Sequence, residues 1–384
     1  MESEEFKLYP EEEPLKMRRL SPDHPDFLEN VEEQKSREAR HLFGLDDLNI
    51  ISQFEETMSH YPEGELTEQY GHFIDETLKH SMQELVILST DKENQFASVG
   101  FETFFYESLD NSELAEQLKK IFSDEFIDAE NGEIFITAQE ILPRFMEIPL
   151  PLYRKMLERH VECYSESEKE LQEKLPEWEL AFADRLNEQV NKWNLALTKE
   201  EIFKRLEKVE VMAGDYLTYS DFTEADGDYH PASCTAVVPT GEIYMIKESG
   251  QSRDDYREYV YTHEMLHAVS GLTVMGGENS EGELAETQIR RHGLHAEGRF
   301  KWLNEAFTEF LALKLLGKED SNSYKDERRE LQLMIDKGVP EELFAAAYFE
   351  NLEPGKTPRL KDLIKAVNQK CGIRYLQNLD KEFS

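Results

Sequence analysis

Two histidines four residues apart, His263 and His267, flank a glutamate, Glu264, that directly follows the first. On a helix, positions i and i+4 share one face, so both imidazoles can be offered to a single metal ion. Glu264 stands about a third of a turn round. From there its carboxylate can reach a water on such an ion without ligating the ion itself. Residue types in this order suit metal-assisted hydrolysis with Glu264 as general base. The surroundings support a helix. Tyr256, Val260, Met265, Leu266 and Val269 form an apolar face, Ser252 with Asp255 three residues on resembles a capping box, and Gly271 suits a stop.

Two histidines are not enough, because a catalytic zinc site takes three protein ligands and leaves one position open. A second helix, expected over 302–316, offers the third. Apolar residues at 302, 303, 306, 307, 310, 311, 313, 315 and 316 nearly surround it, which predicts burial. Glu305 and Glu309 interrupt that surface on one face. A buried carboxylate is costly without a cation or donor. Glu305 can meet the metal, and Glu309, one turn later, can accept the outer N–H of a ligating histidine.

The pair His263-Glu264-x-x-His267 and Asn304-Glu305-x-x-x-Glu309 resembles the gluzincin superfamily of zinc metallopeptidases. The resemblance covers roughly 207–384. It implies one zinc ion held by His263, His267 and Glu305, with Glu264 as general base, Glu309 behind the ligands, and a protein or peptide as substrate. It also implies a separate donor for the developing oxyanion; Tyr324, Tyr348, His292 and His295 are the candidates. The interval from His267 to Glu305 is 38 residues, longer than in the common aminopeptidase and thermolysin-like patterns, so no subfamily is assigned. Two other readings stand beside it. One is a zinc hydrolase of a non-peptide substrate. The other is a non-enzymatic helical interaction protein with a vestigial or structural metal site, against which the intact Glu264 argues.

The elements that must position these residues divide the chain into three. Residues 1–35, rich in Glu and Pro, are expected to be a disordered acidic tail. A helical N-terminal domain is expected over 36–206, with helices at 45–60, 66–88, 111–121, 166–195 (interrupted near Pro176) and 198–206, the last opened by a Thr198/Glu201 capping box. A catalytic domain follows over 207–384. It should begin with short strands at 209–212, 235–238 and 243–246, a turn at 239–241 between the last two. After the motif helix come a Gly-rich connection through Gly276, Gly277 and Gly282, and a hairpin over 288–303 turning at 295–298. Helices return at 302–316, 321–337, 340–351 and 359–370. The fold class is α+β, predominantly helical. Strand 235–238 is the expected edge for pairing with an extended peptide.

Two motifs in the first half are rejected. With Gly132 in the sixth place of a calcium loop, Ile127 and Ala138 would fall on the first and twelfth ligand positions; Asn131-Gly132 reads better as a hairpin turn. Around His160, Glu158 and Glu162 stand two residues away on either side, so a helix would spread them over different faces.

Composition sets the outer limits. With 384 residues, 22 Phe and 16 Tyr, the chain can bury substantial cores. A formal net charge of −38 repels phosphate backbones, which argues against nucleic acid and leaves room for a basic partner. Three widely spaced cysteines, Cys163, Cys234 and Cys371, suggest no disulfide framework. No 18-residue apolar run and no secretory leader are legible, so a cytoplasmic protein without membrane attachment is expected, signal-independent export remaining open.

Overall fold

The computed structural model describes residues 16–20, 25, 27, 28, 31, 111–121, 150–214, 227–239, 252–278, 284–321, 323–350 and 359–383. They are mostly helical with two small sheets, compatible with the α+β class. The helices expected at 45–60 and 66–88, the Asn131-Gly132 hairpin, and the strand at 243–246 with its preceding turn lie outside the described residues.

In chain order the elements are β1 (Lys16–Leu20), α1 (Ser112–Ile121), α2 (Leu150–Lys192), α3 (Lys199–Leu206), β2 (Glu210–Gly214), β3 (Asp228–His230), β4 (Thr235–Pro239), α4 (Arg253–Val269), β5 (Leu272–Glu278), β6 (Leu284–His292), β7 (His295–Ala296), α5 (Lys301–Leu316), α6 (Lys325–Asp336), α7 (Glu341–Tyr348), α8 (Arg359–Cys371) and α9 (Tyr375–Glu382). One sheet has the order β1-β5-β6-β7; the other, β2-β4-β3, pairs β2 with β4 in parallel and β3 with β4 antiparallel.

Local signals hold where the reason is local. The Asn111 side chain accepts from the backbone N–H of Glu113 and Leu114 at the start of α1. The Thr198/Glu201 capping box opens α3, and the Ser252 hydroxyl accepts from Asp255 N–H at 3.1 Å to open α4. Gly271 has a different role from the one expected. The helix ends on an extended Ser270, and a Cβ on Gly271 would collide with the Glu350 backbone. Close chain approach, not a left-handed cap, demands glycine there. Arg205 supplies the cap instead, its guanidinium donating to the Val269 carbonyl.

Several expectations change. Part of the 1–35 stretch is structured: β1 pairs antiparallel with β5, and Leu20, Phe27 and Val31 are buried with Cys234 and Val274. Apolar residues at those positions find a sheet face to cover, which acidic composition does not reveal. Gly276 and Gly277 lie within β5, paired to Thr287 and Glu286 of β6, so the expected connection is a hairpin strand. The hairpin expected over 288–303 instead turns at Gly293-Leu294, pairing β6 with the short β7, and residues from Lys301 onward are helix. Helix α2 runs on through Pro176.

The expected boundary at 206 falls inside one packed core. Leu171, Trp178, Phe182 and Leu186 of α2, Ile202 and Leu206 of α3, Tyr261, Met265 and Leu266 of α4, and Leu303 and Phe307 of α5 belong to a single buried cluster that continues to Leu379. Tyr261 is the joint: its ring lies 5.7 Å from Trp178 and meets Phe182 edge-on at 6.4 Å, contacts worth roughly 0.5–1.5 kcal/mol each beyond burial. The ion pair of Arg185 with Glu258 at 2.7 Å links the same two helices; being partly exposed, it adds less than about 1 kcal/mol. Among the described residues, no helix is long and apolar enough to cross a membrane.

Candidate metal centre

Helices α4 and α5 cross so that side chains remote in sequence face one another. His267 Nε2 lies 3.2 Å from His263 Nε2 and 3.1 Å from Glu305 Oε2, and His263 Nε2 lies 3.5 Å from that same oxygen. One ligand atom from each residue falls within 4.8 Å of the others. These three separations test the fit of an ion. A tetrahedral centre with bonds of about 2.0 Å has edges of about 3.3 Å, and the observed edges bracket that value. Two buried imidazoles and a half-buried carboxylate could hold a metal ion.

The support is built into the same helices. Glu309, fully buried, places Oε2 3.0 Å from His263 Nδ1. Its Oε1 accepts from the Tyr259 hydroxyl at 2.5 Å and from the Ser321 hydroxyl. Neither Tyr259 nor Ser321 was singled out from the sequence. Tyr259 sits four residues before His263, so the i, i+4 rule that found the histidines could have found it. On the other ring, Asn304 Nδ2 stands 3.3 Å from His267 Nδ1, while Asn304 Oδ1 accepts from Leu294 N–H at 2.8 Å. His292 Nε2 donates to the His267 carbonyl at 2.8 Å.

Burial and charge set the protonation of the cluster. Burial pushes Glu264 up to about 7, against the downward pull of His263 and His267. Burial also works against ionised Glu305 and Glu309, yet His267 and His263 hold the Glu305 carboxyl well below its usual range, and His263 with the Ser321 and Tyr259 hydroxyls holds that of Glu309 below it. For His263 burial opposes the charge, but Glu305 and Glu309 raise it well above the ordinary imidazole value. His292 goes the other way, to about 4, chiefly through burial.

A cleft of about 370 Å³ opens over the cluster. Gly227, just before β3, and Asp228 and Tyr229 of β3 line it, with Arg290 and His292 from β6, and His295, Lys301 and Tyr324 from beyond. Glu264 lines it as well, and a Cβ at Gly227 would stand 2.9 Å from Glu264 Oε1. Of the four candidate oxyanion donors, three line the cleft. Tyr324 stacks on the His263 ring at 5.9 Å and 14°, and adopts a left-handed backbone, φ 49°. Tyr348 does not line it. Fully buried behind α5, it shares a 2.8 Å hydrogen bond with the Thr308 hydroxyl, so core packing explains it. The strand expected to offer an edge is also displaced: β4 is central, and β2 and β3 are the edges of its sheet among the described residues, β3 being the one that borders the cleft.

In comparisons with known proteins, no family model, no curated protein and no solved structure matched the chain.

Proposed function

We propose that the chain is a zinc-dependent peptidase of gluzincin type, with His263, His267 and Glu305 as ligands and Glu264 as general base. One observation carries this reading: three ligand atoms from two separate helices converge within 4.8 Å, and a second acidic group, Glu264, borders the same cleft. Two imidazoles and one carboxylate with a position to spare is the donor set of catalytic zinc sites. Zinc, when bound, polarises a carbonyl oxygen and lowers the pKa of a water.

The chain's own residues supply the rest. Glu264 accepts a proton as water attacks the peptide carbonyl, then delivers it to the departing amine. Glu309 accepts the Nδ1 proton of His263, leaving Nε2 for the ligand position. Tyr324, His292 and His295 line the cleft; His292 donates its Nε2 proton to the His267 carbonyl, which leaves Tyr324 and His295 as the donors for a developing oxyanion. An extended peptide would lie along β3, pairing backbone to backbone, as edge strands permit.

The test is a comparison of wild type with Glu264→Gln. Both should bind zinc equally, and proteomic mapping of cleaved sites should return chelator-reversible cuts only with the wild type. Full activity in Glu264→Gln would overturn the assignment of the base. Zinc bound by both without hydrolysis by either would favour a non-enzymatic interaction protein.

A further inference from the structure

We infer that the cleft recognises a carboxylate on the substrate, through Arg290 and Lys301, which both line it. The inference rests on the peptidase reading and names its substrate class.

Arg290 lies near the end of β6 and Lys301 begins α5; both are exposed and both line the cleft beside His295. Their neighbour Arg291 shows what a structural cation looks like here. It is buried, its Nε donates to the Gly293 carbonyl at 2.8 Å, its NH1 meets Glu350 at 3.1 Å, and its NH2 donates to the Ala347 carbonyl. Among the described residues, Arg290 and Lys301 have no such ion pair. In a chain with 81 acidic and 43 basic residues, two cations in one cleft without an ion pair among the described residues run against composition.

The acids around them are mostly engaged. Asp228 pairs with His230 at 2.7 Å, and Glu305 faces the two histidines. Glu264 is buried with the proton-transfer role proposed above. Glu297, exposed on the turn, is the remaining acid of the lining.

The net charge of −38 would draw basic segments to the surface at large. At physiological salt, however, exposed charges beyond about 8 Å are largely screened. Groups lining the cleft therefore decide what is held in it. A guanidinium can grip a carboxylate with two parallel hydrogen bonds, and an ammonium adds a point charge. The carboxylate has two sources: an acidic side chain near the scissile bond, or the free C-terminus of the substrate.

The probe is a set of labelled hexapeptides of one sequence, differing only in one residue (Glu, Gln or Lys) and in a free or amidated C-terminus. Binding is measured to zinc-loaded Glu264→Gln chain, so the readout does not depend on turnover. A preference of about fivefold to tenfold for the carboxylate form is expected. The preference should vanish in a further Arg290→Gln/Lys301→Gln variant that still binds the amidated Gln peptide and zinc as before. Preference for Glu over Gln identifies a side chain; preference for acid over amide identifies the C-terminus. Equal binding of both forms, preference for Lys, or a preference that survives the double substitution overturns this inference alone. No binding of any peptide by the zinc-loaded chain overturns the peptidase reading along with it.

Discussion

Glu309 Oε2 lies 3.0 Å from His263 Nδ1, and this contact decides which nitrogen of the ring faces Glu305. The carboxylate is itself held at its other oxygen by Tyr259 and Ser321. A fully buried acid with three partners is fixed in place, and so is the ring it touches.

Removing that charge should therefore loosen a metal ion held by the cluster. Glu309→Gln is expected to lower metal affinity by roughly 10- to 100-fold, the usual effect of losing such a partner, read by competition with a chelator. Tyr259→Phe leaves two of the three partners and should cost less. Wild-type affinity in Glu309→Gln would show that the contact does not orient the ligand.

Glu264 should cost the metal-free protein stability. Its folded pKa of about 7 stands above the ordinary 4.5, mainly through burial, so the folded state holds the proton more tightly than the unfolded chain. Folding then loses stability as pH rises from about 4.5 to 7, and the whole penalty, on the order of 3 kcal/mol, stands above 7. Metal-free Glu264→Gln should be more stable than wild type at pH 8 and little different at pH 4, in denaturant titrations at the two pH values. A pH-independent gap would contradict the burial argument.

Gly227 sits where any side chain would press on Glu264, the proposed base. A Cβ there would be 2.9 Å from Glu264 Oε1 and 3.1 Å from the Val237 carbonyl, and would collide with Val260. Gly227→Ala is expected to reduce kcat about 10- to 100-fold, because misplacement of a reacting group by an ångström is enough for that. Zinc content should not change. Equal loss of zinc would mean that α4 as a whole had moved.

Helix α2 should behave as part of the unit that carries the site. Phe182→Ala is expected to destabilise the whole protein by about 3–5 kcal/mol, seen as one cooperative shift in denaturant midpoint. A chain cut to 207–384 would expose Tyr261 and Met265, which α2 and α3 help to bury, and should not fold to the same structure. A stable, zinc-binding 207–384 fragment would restore the boundary at 206.

What could be read from sequence and what could not divide along physical lines. His263, Glu264 and His267 were legible as a set because the helical repeat places them within one turn. Ser252, Thr198 and Asn111 were legible as caps because a cap concerns residues two or three apart. Glu305 and Glu309 stood out because charge on an otherwise apolar helix demands a partner. The sequence did not say which partner. The Oε2 of Glu305 comes within 3.5 Å of both rings only because α4 and α5 pack at one crossing. That crossing follows from many apolar contacts, none with a local signature.

The same reason separates the remaining elements. The acidic composition of the first 35 residues predicted a tail, yet β1 found an edge on β5, a partner more than 250 residues away. Tyr348 and Tyr324 looked equivalent as isolated tyrosines; packing sent one behind α5 to Thr308 and the other onto the His263 ring. By itself the sequence determined the types and helical spacing of the candidate ligands, because those depend on neighbours along the chain. Tertiary structure alone decided that His263, His267 and Glu305 face each other, that Ser321 reaches Glu309, and that Arg290 and Lys301 line one cleft. Those relations arise from burying a shared core, whose energy is spread over residues from Leu171 to Leu379.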